Sequence, residues 1–318
     1  MESVLNNFAS PVVLAFILGI VAKLIKSDLD FPKPLYQSIS IYLLLAIGLK
    51  GGVELSKIPL IDFLAPAAGT VFLGVLTPIT AFLVLRYIGK FDTINSAGIA
   101  AHYGSVSVVT FIAAIAYVQS LGLEPEGFLP TLVAILEIPG IIVALLIPLL
   151  IQKKKGSLKN AMHEVLTGSS IVLLIGGLII GYVAGPVKFE TVELFFVGGF
   201  QGALFLFLLE LGMITASRLR DLKKVGAFLI GFGIIVPIIH GALAVVVGLW
   251  VGLSIPGAAV FAAMVSSGSY IAAPAAVRIA LPSANPTLYL TASLGITFPF
   301  NIAIGIPLYY LIATWIGG

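Results

Sequence analysis

Cysteine is absent from the 318 residues of this chain. Its absence excludes a disulfide framework, a thiolate metal site and a cysteine nucleophile. Charge is scarce as well: Asp, Glu, Lys and Arg make up 10% of the residues, against roughly a quarter in a soluble domain. There are three histidines, and no basic stripe for nucleic acid. What is present is apolar: 59% of residues are hydrophobic and mean hydropathy is +1.16. Long apolar runs recur along the chain, so an all-α polytopic membrane protein is expected. Met1 to Ser10 contains Glu2 and no Lys or Arg, and no small-residue cleavage site follows. The first apolar run is therefore expected to remain as a membrane helix.

Ten segments come close to or exceed the roughly 20 residues that a crossing needs: 11–26, 35–52, 64–88, 94–121, 128–151, 165–184, 191–214, 225–251, 256–280 and 287–315. With the loops placed alternately on two sides, 14 of the 17 Lys and Arg fall on one side, Lys153, Lys154, Lys155 and Lys159 among them. The other side keeps only Lys50, Lys57 and Lys188. The positive-inside rule then puts the Lys153–Lys159 loop in the cytosol and both termini outside it. The expected location is the plasma (inner) membrane.

The two halves resemble each other. Leu76-Thr77-Pro78-Ile79 in segment three matches Val236-Pro237-Ile238 in segment eight, and Gly104-Ser105 in segment four matches Gly268-Ser269 in segment nine. Pro130-Thr131-Leu132 and Pro286-Thr287-Leu288 open segments five and ten, and Glu137-Ile138-Pro139 matches Thr297-Phe298-Pro299 near their centres. Four pairs in one order imply a repeat, 1–156 and 157–318. Five helices per repeat is an odd number, so the second copy must be inverted in the membrane.

Small and hydroxylated residues interrupt segments four and nine at mid-depth: His102-Tyr103-Gly104-Ser105-Val106-Ser107 and Ser266-Ser267-Gly268-Ser269-Tyr270. Broken backbone at that depth is tolerated only when buried in protein or lining a cavity. Helices 4 and 9 are thus expected to be broken and to cross. Their half-helix N-termini carry unpaired N–H groups and a positive dipole end. Gly104, Ser105, Ser107, Ser267, Gly268 and Ser269 are the candidate residues for a small anion. Small residues also serve close helix packing, but two clusters in repeat-related places favour a site. Glu137 is the acidic residue nearest the centre of any span. A carboxylate there is a functional hypothesis by default, and Pro139 is expected to open the helix beside it. Glu137 with Thr110, Thr297 and Asn301 is the candidate oxygen set for a hard cation such as Na+, and no other metal site is expected. His240 is expected to bond to groups left unpaired by Pro237, His102 to pack or relay a proton, Glu210 to lie hydrated near Arg218, and Asn285 to cap a helix begun by Pro286.

Several motifs in order resemble the single-component sodium-dependent bicarbonate permeases (the SbtA type) over residues 36–312. They are Ile47-Gly48-Leu49-Lys50-Gly51-Gly52, Gly104-Ser105-Val106-Ser107 with Thr110, Glu137-Ile138-Pro139, Ser217-Arg218 with Lys224-Val225, Pro237-Ile238-Ile239-His240-Gly241, and Arg278 with Pro282-Ser283-Ala284-Asn285-Pro286. The resemblance implies Na+-coupled bicarbonate uptake by a homotrimer, with no cofactor beyond the coupling ion. It implies an elevator-like mobile core of helices 3–5 and 8–10 against a scaffold of helices 1, 2, 6 and 7. A PII-like cytosolic regulator is a partner it admits. Four positions depart from the family pattern: Tyr270 stands where an acidic residue is common, Val108-Val109 replace Gly-Ser, and Glu137 replaces Asp. A Na+- or H+-coupled symporter of another small carboxylate is the alternative. An intramembrane serine hydrolase using Ser267 or Ser269 with His240 is remote, because no nucleophile-elbow pattern is present.

Overall fold

The structure is a computed structural model that describes residues 10–152, 163, 166–219 and 221–318. Residues 1–9, the Lys153–Lys159 loop, Arg220 and the expected repeat boundary at 156/157 lie outside the described residues. Among the described residues every regular element is helical. In the first half these are α1 (Pro11–Leu24), α2 (Lys33–Leu55), α3 (Leu60–Leu83, prolonged by a π turn), α4 (Thr93–Tyr103), α5 (Val108–Ser120) and α6 (Leu129–Gln152). In the second half they are α7 (Ser169–Glu193), α8 (Phe200–Leu219), α9 (Leu222–Trp250), α10 (Ile255–Val265), α11 (Ala272–Ala280) and α12 (Pro286–Gly317, with two π segments).

Among the described residues seven stretches are long and apolar enough to cross a membrane, and α1 and α10 are shorter apolar helices. The chain is a multi-pass membrane protein. The run Ser169–Leu219 has 51 residues, more than twice the roughly 20 that one crossing needs. It holds α7 and α8, and its helical path breaks at Gly185 (φ 63°), just before Pro186. Glycine tolerates that φ, and proline suits the first position of the helix that restarts. The non-spanning gap expected over 185–190 is therefore helical except at Gly185. Beyond it Val187, Leu194 and Phe195 are well exposed, as in a segment lying against lipid or its headgroups.

Helix starts follow local chemistry. Ser10, Ser254 and Asn285 accept from the first-turn N–H groups of Val13, Gly257 and Thr287, and each precedes a proline at the first or second helical position. Asp92 caps α4 outside the spans, accepting from the N–H groups of Ile94 and Asn95. Partial burial pushes its carboxyl up, but the bonds from Asn95 and Ile94 outweigh this and hold it below the usual carboxylate range.

Two helix pairs pack backbone against backbone. On α2, Gly48 and Gly52 face the Leu174 and Leu178 carbonyls of α7, and Gly177 and Gly181 of α7 face α2 in return. Gly19 of α1 likewise meets Leu209 and Gly212 of α8. Lipid tails are as apolar as leucine, so such close approach, rather than the hydrophobic effect, holds membrane helices together. The other helices form a second contact set: α3 packs on α4 and α6, and α9 on α10 and α12. Loops meet at both ends: Ser254 N–H donates to the Glu126 carboxylate at 2.6 Å, and Asn285 N–H to Asn95 Oδ1 at 2.7 Å. Trp250 and Trp315, both 85% exposed, stand at the adjacent ends of α9 and α12, the pattern of interfacial anchors.

Candidate functional site

Two helices stop deep inside the protein. α4 ends at Tyr103 and α5 begins at Val108; α10 ends at Val265 and α11 begins at Ala272. Residues 101–110 and 261–269 are all buried, so the exposed backbone of each interruption must find protein partners. Each finds the other. Ser107 N–H donates to Ser267 Oγ at 2.8 Å, and Ser269 N–H donates to the His102 carbonyl at 2.8 Å.

Most of the serine hydroxyls are already committed. Ser107 Oγ accepts from the N–H of Thr110 at 3.2 Å and from its hydroxyl at 3.0 Å, capping α5. The Ser267 hydroxyl donates to the Met264 carbonyl at 2.7 Å, and Ser269 Oγ accepts from Ala273 N–H at 3.3 Å. Three buried polar atoms near the same interruptions have no partner: Ser105 Oγ, His102 Nε2 and the Tyr270 hydroxyl. His102 stacks on Tyr289 with ring centroids 4.6 Å apart, and its Nδ1 lies 2.7 Å from the Gly98 carbonyl. Nδ1 then carries the proton, so neutral His102 presents Nε2 as an acceptor.

Gly104 has φ −93°, and Gly268 is not among the glycines with positive φ, so neither is required for left-handed backbone. Space is the reason instead. A Cβ on Gly104 would sit 2.7 Å from Pro78 Cβ and 2.9 Å from Gly140 Cα; one on Gly268 would sit 3.1 Å from Ser293 Cβ. The open side of Gly104 thus faces α3 and α6.

Glu137 is 2% exposed and its Oε2 has no partner. The expectation that Pro139 opens the helix is corrected: α6 runs on through it. The proline removes one N–H, which frees the carbonyl of Ile135 four residues before. Its counterpart Pro299 lies between the π segments Thr291–Thr297 and Asn301–Gly305, where carbonyl geometry departs from the α ladder. Thr297 donates to the Gly233 carbonyl at 2.7 Å and pairs with the Tyr103 hydroxyl at 2.6 Å. Asn301 donates to the Ser266 carbonyl at 3.3 Å and accepts from Tyr309 at 2.9 Å. Among the described residues no hydrogen bond joins Glu137 to Thr110, Thr297 or Asn301. Each of those three oxygens keeps at least one unused lone pair.

Other expectations change. His240 Nε2 lies 2.8 Å from Thr80 Oγ1 rather than on backbone freed by Pro237. Among the described residues neither Ser267 nor Ser269 bonds to it, so the serine–histidine pair needed for hydrolysis is not brought together. Arg218 pairs with Asp221 at 3.8 Å, while Glu210 has Asp30 and Lys23 as its charged neighbours. The sequence reading missed Tyr103, Tyr309 and Gly140. A hydroxyl placed inside an apolar span was the signal for the two tyrosines.

The profile of the Na+-dependent bicarbonate transporter superfamily matches residues 11–314. No curated protein matches the chain.

Proposed function

The chain belongs to the Na+-dependent bicarbonate transporter superfamily, and from that premise we propose that it is a secondary transporter carrying bicarbonate and Na+ together by an elevator-like movement. It is a transporter and not an enzyme. The observation that carries the site is the set of unpartnered buried groups at the two interruptions, Ser105 Oγ, His102 Nε2 and the Tyr270 hydroxyl. Bicarbonate has one O–H donor and two anionic oxygens. A free acceptor nitrogen, free hydroxyls and first-turn N–H groups of α5 suit that combination. Gly104, Ser107, Ser267, Gly268 and Ser269 shape this space and fix the helix ends. Na+ binds at Glu137, with Thr110, Thr297 and Asn301 as neutral oxygens.

Helix pairing supports the inverted repeat of 1–156 and 157–318. Taking the ten segments in order, α1 on α8 has its counterpart in α7 on α2, α3 on α6 in α9 on α12, and α3 on α4 in α9 on α10. The same grouping supports a core of segments 3–5 and 8–10 against a scaffold of segments 1, 2, 6 and 7. The homotrimer, the elevator movement and a PII-like regulator rest on the family resemblance alone.

Labelled bicarbonate uptake into proteoliposomes, with and without an inward Na+ gradient, tests the proposal. Stimulation by Na+ is expected. Uptake of a different small carboxylate in place of bicarbonate would shift the substrate, and uptake indifferent to Na+ would overturn the coupling.

Single serines divide the roles. Ser105→Ala is expected to raise the half-saturating bicarbonate concentration roughly tenfold or more, since a hydrogen bond to a charged group is worth about 1.5–3 kcal/mol. Its melting temperature should stay near wild type. Ser107→Ala removes a cap and should instead cost about 1 kcal/mol of stability. The reverse pattern in uptake and thermal melts would move the anion away from Ser105.

Sidedness follows from the basic asymmetry. Cysteines placed at Ser3 and Gly317 in this cysteine-free chain should react with an impermeant reagent outside intact cells, and one at Gly156 should not. Labelling of Gly156→Cys from outside would reverse the topology.

A further inference from the structure

A cavity of about 340 Å³ opens between the two helix groups, and its wall carries Arg218 of α8 and Arg278 of α11. Tyr36 of α2, Leu294 of α12 and Ala275 of α11 complete the part that matters here, together with Tyr270. Two guanidinium groups in one cavity are unusual in a chain with 10% charged residues. Arg218 is only loosely tied to Asp221, at 3.8 Å. Among the described residues Arg278 has no carboxylate partner. Glu210 lies beside Tyr36 but is not part of the cavity wall.

Tyr270 joins this cavity to the interrupted helices. Its backbone follows Ser269, whose N–H is held by the His102 carbonyl at 2.8 Å. Its ring packs edge-on against Phe298 with centroids 5.3 Å apart. Its hydroxyl lies beside Ser107, outside strict hydrogen-bond geometry. One side chain therefore borders both the buried serines and the arginine-lined cavity.

The geometry points to a second, transient oxyanion site in this cavity, where Arg218 and Arg278 receive the anion that passes Tyr270 on its way between the buried serines and the aqueous side. The inference rests on the transport reading above and adds the route to it. Guanidinium presents parallel N–H donors to a planar carboxylate-like anion, which a lysine cannot match. Fixed cations at the mouth of a low-dielectric cleft also raise the local anion concentration, by tenfold or more. Tyr270, neutral where an acidic side chain would repel the anion, supplies a hydroxyl donor at the narrow point.

The absence of native cysteine allows a direct test. Ala275→Cys places a single thiol on the cavity wall, and Ile271→Cys, also lining it, is a second reporter if the first folds poorly. Modification rates with a sulfonate-bearing and a trimethylammonium-bearing thiosulfonate reagent are compared in detergent-solubilised protein. The anionic reagent should react preferentially, and bicarbonate should slow it in a saturable way. In Arg218→Gln/Arg278→Gln the preference should fall about tenfold and the protection should vanish. Arg218→Lys/Arg278→Lys should restore the preference without the protection, and Tyr270→Phe should keep the preference but require several-fold more bicarbonate. Preference or protection unchanged by the double glutamine variant would overturn the site. Proteoliposome uptake by the cysteine-bearing protein separates the two ideas. Na+-dependent bicarbonate uptake with no arginine effect overturns only the second site. No such uptake, with protection intact, overturns the transport reading and leaves the anion site standing.

Discussion

Glu137→Gln is expected to raise the Na+ concentration needed for half-maximal uptake by about thirtyfold or more. Glu137 is 2% exposed and Oε2 lacks a partner, so an ionised carboxylate there is stable only with a cation beside it. Truncating one member of a buried, coordinated charge pair costs roughly 2–5 kcal/mol, and each 1.4 kcal/mol is tenfold in affinity. Glutamine keeps the size of the side chain and one oxygen, so folding should survive. A thermal melt supplies an independent reading. Na+ at about a hundred times its dissociation constant should stabilise the wild type by about 2.7 kcal/mol, and that Na+-dependent shift should disappear in the variant. A well-folded Glu137→Gln protein with normal Na+ activation and a normal melting shift would reduce Glu137 to a structural group.

The second large effect is expected from a single methyl group. Gly140→Ala would place Cβ 1.6 Å from the Gly104 carbonyl oxygen and 2.1 Å from its carbon. Both are backbone atoms at the end of α4, so neither can rotate away. The end of α4 must leave α6, and the Ser107–Ser267 and Ser269–His102 bonds lie immediately beyond it. Overpacking typically costs about 1–3 kcal/mol and occasionally more. A displacement of roughly 1 Å among groups that position a ligand can lower activity about a hundredfold. Gly176→Ala is the control, because a Cβ there meets nothing within 4 Å and alanine favours helix by about 1 kcal/mol. It should melt no lower than wild type. Normal uptake by Gly140→Ala would mean that α4 and α6 are free to separate without harm to the site.

Close backbone packing also explains why so many glycines sit in spans where their helix propensity is poor. Gly48, Gly52, Gly177 and Gly181 bring α2 and α7 together, and Gly19 and Gly212 do the same for α1 and α8. A glycine-rich apolar segment signals close approach in general terms. Which carbonyl each glycine meets depends on the rotation and offset of two helices, and these are not local properties.

The sequence by itself determined the class of protein, because hydropathy and charge act through short-range and solvent terms: long apolar runs must be in lipid, and Lys and Arg must not. It also determined the family, and several helix starts, such as Asn285 before Pro286, whose cap involves neighbours two residues apart. Only the tertiary structure decided which groups at the site are free. Ser105 and Ser107 look equivalent in the chain, yet Ser107 is a cap and Ser105 Oγ has no partner. His240 finds Thr80, and Ser107 finds Ser267, each 160 residues distant. Tyr103 finds Thr297 across 194 residues, and Gly104 is a glycine because of Gly140. Arg218 and Arg278 share a cavity only because α8 and α11 come together. A buried hydrogen-bonding group takes whatever partner packing brings within about 3 Å, and packing is a property of the assembled helices.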